Sequence, residues 1–312
     1  MFNRFMQTQT RRSFLKSSVA AGLSLAAFET LAPSSAPAIE PIKRKGAPRL
    51  RLSLAAYSFR DFFKSKDPAK QIDLFQFVDY CADQGLDAAE ITAYYFPENP
   101  DTDYLIKLKR HAFLRGVAIS GSAIGNNFAL PKGEKRDEQI SYTKKWIDRC
   151  AILGAPHIRV FAGPAQKDFE MEAAKKNCIE AMEECCDYAG TNGIFLGLEN
   201  HGGIVAESKD LLDIVRAVKS PWLGINLDTG NFHTDDPYAD LAKCAPYAVN
   251  VQYKVEVQYR GKEKQIADMP RVIKILRDAN YQGYVALEHE KKEDPWQTVP
   301  GWLKKLKAEI TG

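Results

Sequence analysis

The 312-residue chain lacks several features that mark common protein classes. Only six residues are cysteine, and no two of them have C-x-x-C spacing. We therefore expect them to be small buried hydrophobic residues rather than members of a disulfide framework. With 45% hydrophobic and 27% charged residues, the composition excludes a disordered, collagenous or disulfide-stapled protein.

A net charge is also missing once residues 1–38 are set aside. The whole chain has a formal charge of +3, and those residues hold four basic side chains against one glutamate. The remainder carries 39 basic and 39 acidic side chains. Because a duplex-binding surface needs an excess of cations to displace counterions, we do not expect nucleic acid as a partner.

The N-terminal apolar run is too short to span a bilayer, which needs roughly 20 residues. It extends over residues 17–32, follows Arg11 and Arg12, and leads to an A-x-A sequence at 36–38. A charged start, a short hydrophobic middle and this ending predict a cleavable twin-arginine signal peptide over residues 1–38. No cysteine lies near the cleavage region. We therefore expect no stable membrane anchor and a periplasmic or extracellular location.

From residue 49 to the C-terminus, short β-rich runs alternate with longer amphipathic helical stretches at intervals of roughly 30 residues. Such alternation, with nearly continuous apolar strands, predicts a parallel sheet covered by helices. Eight units in about 260 residues match a (β/α)8 TIM barrel. We therefore predict an α/β protein with one TIM barrel domain over residues 49–312. The eight runs are Leu50–Ser58, Ala88–Tyr95, Val117–Ala123, His157–Ala162, Ile194–Glu199, Leu223–Leu227, Ala248–Val255 and Tyr284–Glu288.

The competing architecture is an open doubly wound sheet, which would alternate in the same way. Such sheets usually carry a glycine-rich phosphate turn after the first strand. Here residues 56–61 read AYSFRD and contain no glycine. The chain therefore has neither a dinucleotide fingerprint nor a P-loop at this place, and the closed barrel is favoured.

Four consecutive predicted strands deliver polar residues to the rim where TIM barrels place their chemistry. They are Glu199, Asp228, Gln252 and Glu288. Three clustered carboxylates cannot neutralise one another, and a buried carboxylate without a cation costs several kcal/mol. Carboxylate and amide oxygens are hard ligands that suit Mn²⁺ or Mg²⁺ better than Zn²⁺. The pattern therefore predicts a divalent metal site, although each residue alone could be a solvated loop residue.

Other polar residues near this rim are candidates for contact with a substrate. Lys254 shares a strand face with the predicted ligand two residues before it, so it can reach the site and stabilise an oxyanion. His201 either points into the site or supports it through a hydrogen bond. His233 either binds substrate or only begins a loop. Glu90, on the second predicted strand, is either a structural partner of an arginine or lysine inside the barrel or a catalytic group.

Four segments around the rim residues resemble the xylose-isomerase-like TIM barrels, a superfamily of sugar isomerases and epimerases, inosose dehydratases and AP endonucleases. The four segments are Gly197–Gly202, Leu227–Asn231, Val251–Lys254 and Leu287–Glu288. The likeness covers essentially the whole chain after the signal peptide. By this resemblance, the four rim residues named above hold one divalent metal ion, with Mn²⁺ expected and Mg²⁺ or Co²⁺ as alternatives.

The chain departs from the family pattern at two positions. Gln252 stands where the family usually has histidine, which implies weaker binding or a harder metal. Related epimerases often have a substrate-binding histidine three residues after the metal-binding aspartate; here that residue is Asn231, with His233 two residues further on. The nuclease branch needs several extra histidines for a multi-zinc cluster, and the five scattered histidines of this chain argue against it.

The sequence thus predicts a metal-dependent isomerase or epimerase that acts on a free, non-phosphorylated sugar or sugar derivative. Glu199 and Glu288 would remove and return a proton beside a carbonyl group through an enediolate. Two alternatives remain open: a lyase or dehydratase of 3-keto-glycosides or inososes, and a non-catalytic sugar-binding barrel. The expected partner is a small carbohydrate, and nothing in the sequence specifies an oligomeric state.

Overall fold

Parallel strands close into an eight-stranded barrel in the computed structural model, which describes residues 39–165 and 170–312. The predicted signal peptide, residues 1–38, lies outside the described residues. In the barrel the strand order is β1-β10-β7-β6-β5-β4-β3-β2, so the first strand pairs with the last. The strands are β1 Arg49–Ala55, β2 Ala88–Thr92, β3 Ala118–Ala123, β4 His157–Val160, β5 Phe195–Glu199, β6 Leu223–Asp228, β7 Ala248–Lys254, β8 Glu256–Val257, β9 Gln265–Ile266 and β10 Gln282–Glu288.

A helix follows every barrel strand, and the prediction of a (β/α)8 barrel is confirmed. The long helix α4 ends at Gly154, whose φ of 78° lies in the left-handed region that glycine adopts readily. Within the described part of the chain, no helix has the length and apolar character needed to cross a membrane. The helices are α1 Arg60–Phe63, α2 Leu74–Asp83, α3 Thr102–Leu114, α4 Glu134–Leu153, α5 Met171–Thr191, α6 Ser208–Ala217, α7 Pro237–Cys244, α8 Met269–Asp278 and α9 Pro295–Thr311.

Several strands end earlier than predicted, such as β2 at Thr92 rather than Tyr95 and β4 at Val160 rather than Ala162; two further differences shape the mouth. The first strand ends at Ala55 rather than Ser58, because residues 56–59 turn into a 3-10 helix that leads into α1. After β7 the chain forms a small antiparallel hairpin of β8 and β9, which the sequence did not indicate. Both features lie at the carboxyl ends of barrel strands and help to shape the mouth of the barrel.

The core has an apolar outer layer and a polar interior. Leucine, isoleucine, valine and alanine side chains fill the space between the strands and helices. Inside the barrel, buried polar residues replace part of the usual apolar filling, and His157 takes the space that the missing side chain of Gly121 leaves open. The buried polar residues of the interior include Ser53, Glu90, Ser120, His157, Asn226, Asn250 and Gln252.

Candidate active site

Four charged side chains meet at the mouth because each is the last residue of its strand. They are Glu199 of β5, Asp228 of β6, Lys254 of β7 and Glu288 of β10. Lys254 and Glu288 lie opposite each other in the register of β7 and β10. All four are buried, so their charges interact with little screening by water.

Lys254 forms the centre of one half of this site. Its Nζ lies 3.4 Å from Asp228 Oδ2, 3.2 Å from Glu288 Oε2 and 2.7 Å from Glu290 Oε2. Burial acts to lower the pKa of Lys254, but the three carboxylates outweigh burial and raise it well above its ordinary value. Burial raises the pKa of both Asp228 and Glu288, and the nearby ammonium opposes this effect. The geometry therefore keeps a permanent positive charge among these carboxylates.

Glu199 has a different set of partners in the other half of the site. Its Oε2 lies 2.8 Å from Nε of Arg159, while its Oε1 accepts a hydrogen bond from Nδ2 of Asn231 at 2.9 Å and contacts Nδ1 of His201 at 2.8 Å. Burial acts to raise the pKa of Glu199, but Arg159 and His201 outweigh it and lower the pKa below its ordinary value. Of the three carboxylates at the ends of the strands, Glu199 thus has a lowered pKa, whereas Asp228 and Glu288 have raised ones.

Gln252 lies one layer deeper and belongs to a network of amides inside the barrel. Its Nε2 donates to Oε1 of Glu90, and its Oε1 accepts from Nδ2 of Asn226 at 2.7 Å. Glu90 also accepts from Nδ2 of Asn250 at 2.7 Å. Burial raises the pKa of Glu90 to about 7, against these amide hydrogen bonds. Of the two alternatives for Glu90, a partner of an arginine or lysine or a catalytic group, the described residues show neither an ion pair nor a place at the mouth: its hydrogen-bond partners are the amides of Asn250 and Gln252.

The donor chemistry of the site suits a hard divalent cation, but the arrangement does not. Oδ2 of Asp228 is buried and accepts no hydrogen bond from the described residues, as a metal ligand would require. However, the Lys254 ammonium lies between Asp228 and Glu288, and the oxygen of Gln252 already accepts from an amide. Within residues 39–165 and 170–312, no three Asp, Glu, His or Cys side chains form a group that could hold a metal ion. In this arrangement the residues do not fit the metal.

Beside Lys254 and Glu288 lies a cavity of about 100 Å³. Its far wall is formed by the loop after β6 and by the β8–β9 hairpin, including Asn231, His233 and Lys264. Three of the four predicted substrate-binding residues, Asn231, His233 and Lys254, thus line one space. The fourth, His201, lines a neighbouring pocket, where its ring packs 4.4 Å from that of Phe161.

Sequence reasoning missed the roles of two residues, Arg159 and Glu290. Arg159 lies in β4 two residues after His157, so the alternation of the strand directs it to the barrel interior. A buried arginine in a strand needs an acidic partner, which was the available signal for its ion pair with Glu199. Glu290 follows Glu288 by two residues and reaches the same lysine, but it lies beyond the strand end, where alternation gives no direction.

A family model described as "Xylose isomerase-like TIM barrel" matches residues 78–306. No curated protein matches the sequence.

Three solved structures with the same fold are a D-psicose 3-epimerase crystallised with D-fructose, the 3-keto-D-glucoside 4-epimerase YcjR from E. coli, and the IolI protein with a zinc atom. The psicose epimerase is 16% identical over 83% of this chain and 94% of its own, with a TM-score of 0.65. YcjR is 16% identical over 83% and 100%, with a TM-score of 0.65. IolI is 17% identical over 84% and 96%, with a TM-score of 0.67. At such low identity these likenesses establish the fold.

Proposed function

Because the chain belongs to the xylose isomerase-like TIM barrel family, we propose that it is an isomerase or epimerase of a non-phosphorylated sugar or sugar derivative. The observation that carries this proposal is the pair of differently paired carboxylates at one mouth: Glu199 with Arg159, and Glu288 with Lys254. Two carboxyl groups with their pKa values shifted in opposite directions are suited to act as base and acid in one reaction. The epimerases among the structural neighbours support the same class of chemistry.

In the proposed reaction, Glu199 removes the proton from the carbon beside a carbonyl group. The electron pair of the broken C–H bond moves to the carbonyl oxygen and forms an enediolate. Lys254, whose Nζ is held at the cavity by three carboxylates, is placed to donate a hydrogen bond to the negative oxygen. Return of a proton from Glu288 to the opposite face of the same carbon re-forms the carbonyl group and gives an epimer. Return to the neighbouring carbon gives an isomer, with the hydroxyl proton of the enediolate passing to the other oxygen. Proton exchange with water then restores both carboxyl groups.

Asn231 and His201 position the base in this scheme. Both contact Oε1 of Glu199, while Arg159 contacts Oε2. These contacts limit rotation of the carboxylate and help keep it ionised. His233, at the cavity wall, is proposed to contact the substrate.

The expected metal cofactor, Mn²⁺ by ligand type, stays a prediction. Its support is the number of carboxylates near the mouth and Oδ2 of Asp228, which accepts no hydrogen bond from the described residues; the Lys254 ammonium between Asp228 and Glu288 opposes it. Metal analysis of the purified protein checks it: stoichiometric bound metal and activity lost to a chelator would support it, and full activity without bound metal would contradict it.

Export by the twin-arginine route to the periplasm or the exterior is a further part of the proposal. Its support is the sequence of residues 1–38, with Arg11 and Arg12 before the apolar run. Replacement of both arginines by lysine is expected to retain the protein inside the cell. Unchanged export of that variant would contradict the proposal.

Proton exchange in heavy water tests the proposed reaction. The protein is incubated in D₂O with a panel of aldoses, ketoses and 3-keto-glucosides, and NMR follows deuterium entering the carbon beside the carbonyl. Glu199→Gln is expected to slow exchange at least about 100-fold, because an amide cannot accept the proton. Glu180→Gln, on the outer helix α5, is the matched control and should exchange at the wild-type rate.

The products of the same incubation separate the outcomes. Isomers or epimers of an exchanged sugar support the proposal. A product that has lost the group on the next carbon would assign elimination, as in a lyase. Exchange at an unchanged rate in Glu199→Gln would overturn the role of this residue.

A further inference from the structure

A second concavity opens on the same face of the barrel, beyond the end of β2. Its volume is about 570 Å³, within the range of about 300–1,000 Å³ that ligand pockets occupy. It is formed by the segments that follow β1 and β2 and by the first turn of α3, all of which lie at the carboxyl ends of strands. We name it the tyrosine groove; its apolar lining is Phe63, Ile72, Tyr94, Tyr95, Phe96 and Tyr104.

Tyr94 connects the tyrosine groove to one half of the active site. Its side chain lines the groove and is 37% exposed. Its hydroxyl packs close to the backbone of Gly125, just after β3, and lies near the guanidinium of Arg159. Burial acts to lower the pKa of Arg159, and Tyr94, together with Glu199, raises it. A molecule in contact with this tyrosine is thus next to the ion pair that holds the proposed base.

Tyr95 lines the groove beside Tyr94. Its ring stacks on Phe63 at 4.2 Å and 11°, which fixes its orientation. Its hydroxyl is buried and has no hydrogen-bond partner among the described residues. Burial raises the pKa of Tyr95, and Tyr57 and Glu288 raise it further. An unpaired buried donor here needs an acceptor from outside the chain.

We propose that the tyrosine groove binds the second ring of a glycoside whose reacting sugar lies between Glu199 and Glu288. This proposal rests on the proposed function and narrows its substrate to a sugar that carries a ring-shaped aglycone. The cavity beside Lys254 has only about 100 Å³, so a second ring needs the larger space that begins at Tyr94. Flat rings, either aryl groups or the C–H faces of sugars, stack on exposed tyrosine, and the hydroxyl of Tyr95 offers a hydrogen bond to a glycoside oxygen.

Calorimetric titration of the full chain tests this subsite without any need for turnover. The probes are methyl and 4-nitrophenyl β-D-glucopyranoside, their galactose counterparts, cellobiose and lactose. The wild type is expected to bind the ring-bearing probes about fivefold to tenfold more tightly than the methyl glycosides. A gain for the 4-nitrophenyl compounds alone assigns an aryl aglycone, and a gain for the disaccharides assigns a second sugar.

Three variants locate the effect. Tyr94→Ala should remove the preference for a second ring and leave the affinity for methyl glycosides nearly unchanged. Tyr94→Phe, which keeps the ring and loses the hydroxyl beside Arg159, should retain most of the preference. Phe113→Ala removes an aromatic side chain that is 81% exposed and lies outside the groove lining, and it should behave as the wild type.

Two results would overturn the proposal. The first is that the wild type shows no preference for ring-bearing probes, which includes the absence of any binding. The second is that Tyr94→Ala loses equal affinity for the methyl glycosides and the ring-bearing probes. Failure of the proposed function is distinguishable from these. A preference for ring-bearing probes without proton exchange on any sugar would support the tyrosine groove as a binding site and contradict the proposed reaction. Proton exchange on free sugars without a preference for ring-bearing probes would support the reaction and contradict the binding site.

Discussion

Lys254 is the residue on which the charge balance of the mouth depends. Its ammonium is within 3.4 Å of an oxygen of Asp228, Glu288 and Glu290. A neutral side chain in its place would leave buried carboxylates without a counter-charge, which costs several kcal/mol. Substitutions of this lysine therefore change folding stability as well as any chemistry, and their kinetic effects need to be interpreted together with measured stability.

A single methyl group at Gly121 tests how tightly the polar interior is packed. A Cβ on Gly121 would overlap the buried ring of His157, whose Nδ1 is also hydrogen-bonded to the carbonyl of Ser120 at 2.9 Å. We expect Gly121→Ala to lower the free energy of unfolding by about 1–3 kcal/mol, as measured by urea denaturation.

Gly301→Ala is the matched control for this substitution. Gly301 lies in α9, and a Cβ there would meet no atom within 4 Å. Because alanine is the better helix former, we expect the free energy of unfolding of this variant to rise by about 0.5–1 kcal/mol. Equal effects of the two substitutions would contradict the packing that the structure shows around His157.

The sequence predicts the location of a site residue when its place along a strand alone decides where its side chain lies. Glu199, Asp228 and Glu288 end their strands, so alternation and the barrel geometry place them at the rim. The partner of Gln252 was not predictable in this way. Its amide bonds Glu90, 162 residues earlier in the chain, and the choice between this bond and a metal depends on how far each side chain extends across the barrel interior.

Among the secondary-structure elements, the barrel strands and their helices carry strong periodic signals, whereas the short segments at the mouth do not. The predicted run to Ser58 is apolar enough to continue β1, but the strand ends at Ala55. The two-residue strands β8 and β9 are too short to show any alternation. The cavity walls therefore come from the parts of the chain with the weakest local sequence signal.

Contacts between elements outside the barrel can be tested at Asp240 of α7. This carboxylate accepts hydrogen bonds from Ser208, the first residue of α6, at 2.6 Å and from Thr234. Asp240→Ala would leave two buried hydroxyl groups unpaired, so we expect a loss of about 1–3 kcal/mol in the free energy of unfolding at pH 7. Asp278→Ala removes only an exposed pair with Lys274, and it should cost less than about 0.5 kcal/mol.

The pH dependence of the Asp240→Ala deficit provides a second check. Burial acts to raise the pKa of Asp240, but the hydroxyl groups and Lys243 outweigh it and lower the pKa. A carboxyl group with a lowered pKa in the folded state contributes stability above its unfolded pKa and loses it as the pH falls through the folded pKa. The difference between wild type and variant should therefore shrink in acid, and a difference that grows would contradict the assignment.

For the whole molecule, all six cysteines are buried as thiols, with no disulfide in the described residues, as the sequence predicted. Burial raises the pKa of each of the six thiols, which makes them poor nucleophiles. A thiol reagent such as DTNB is expected to react with almost none of them in the native protein and with all six in denaturant. Fewer than six after unfolding would reveal a disulfide, and rapid native reaction would show that the barrel opens readily.

The pairing of β1 with β10 also sets the order of events when the chain is made. Arg49 lies beside Gln282 in this pairing, so the first strand to leave the ribosome waits for the last one before the ring can close. Contacts so distant along the chain slow folding. A chain that is drawn away by its N-terminus before its last strand has been made cannot complete the barrel. If the finished chain is released first, all eight strands can join.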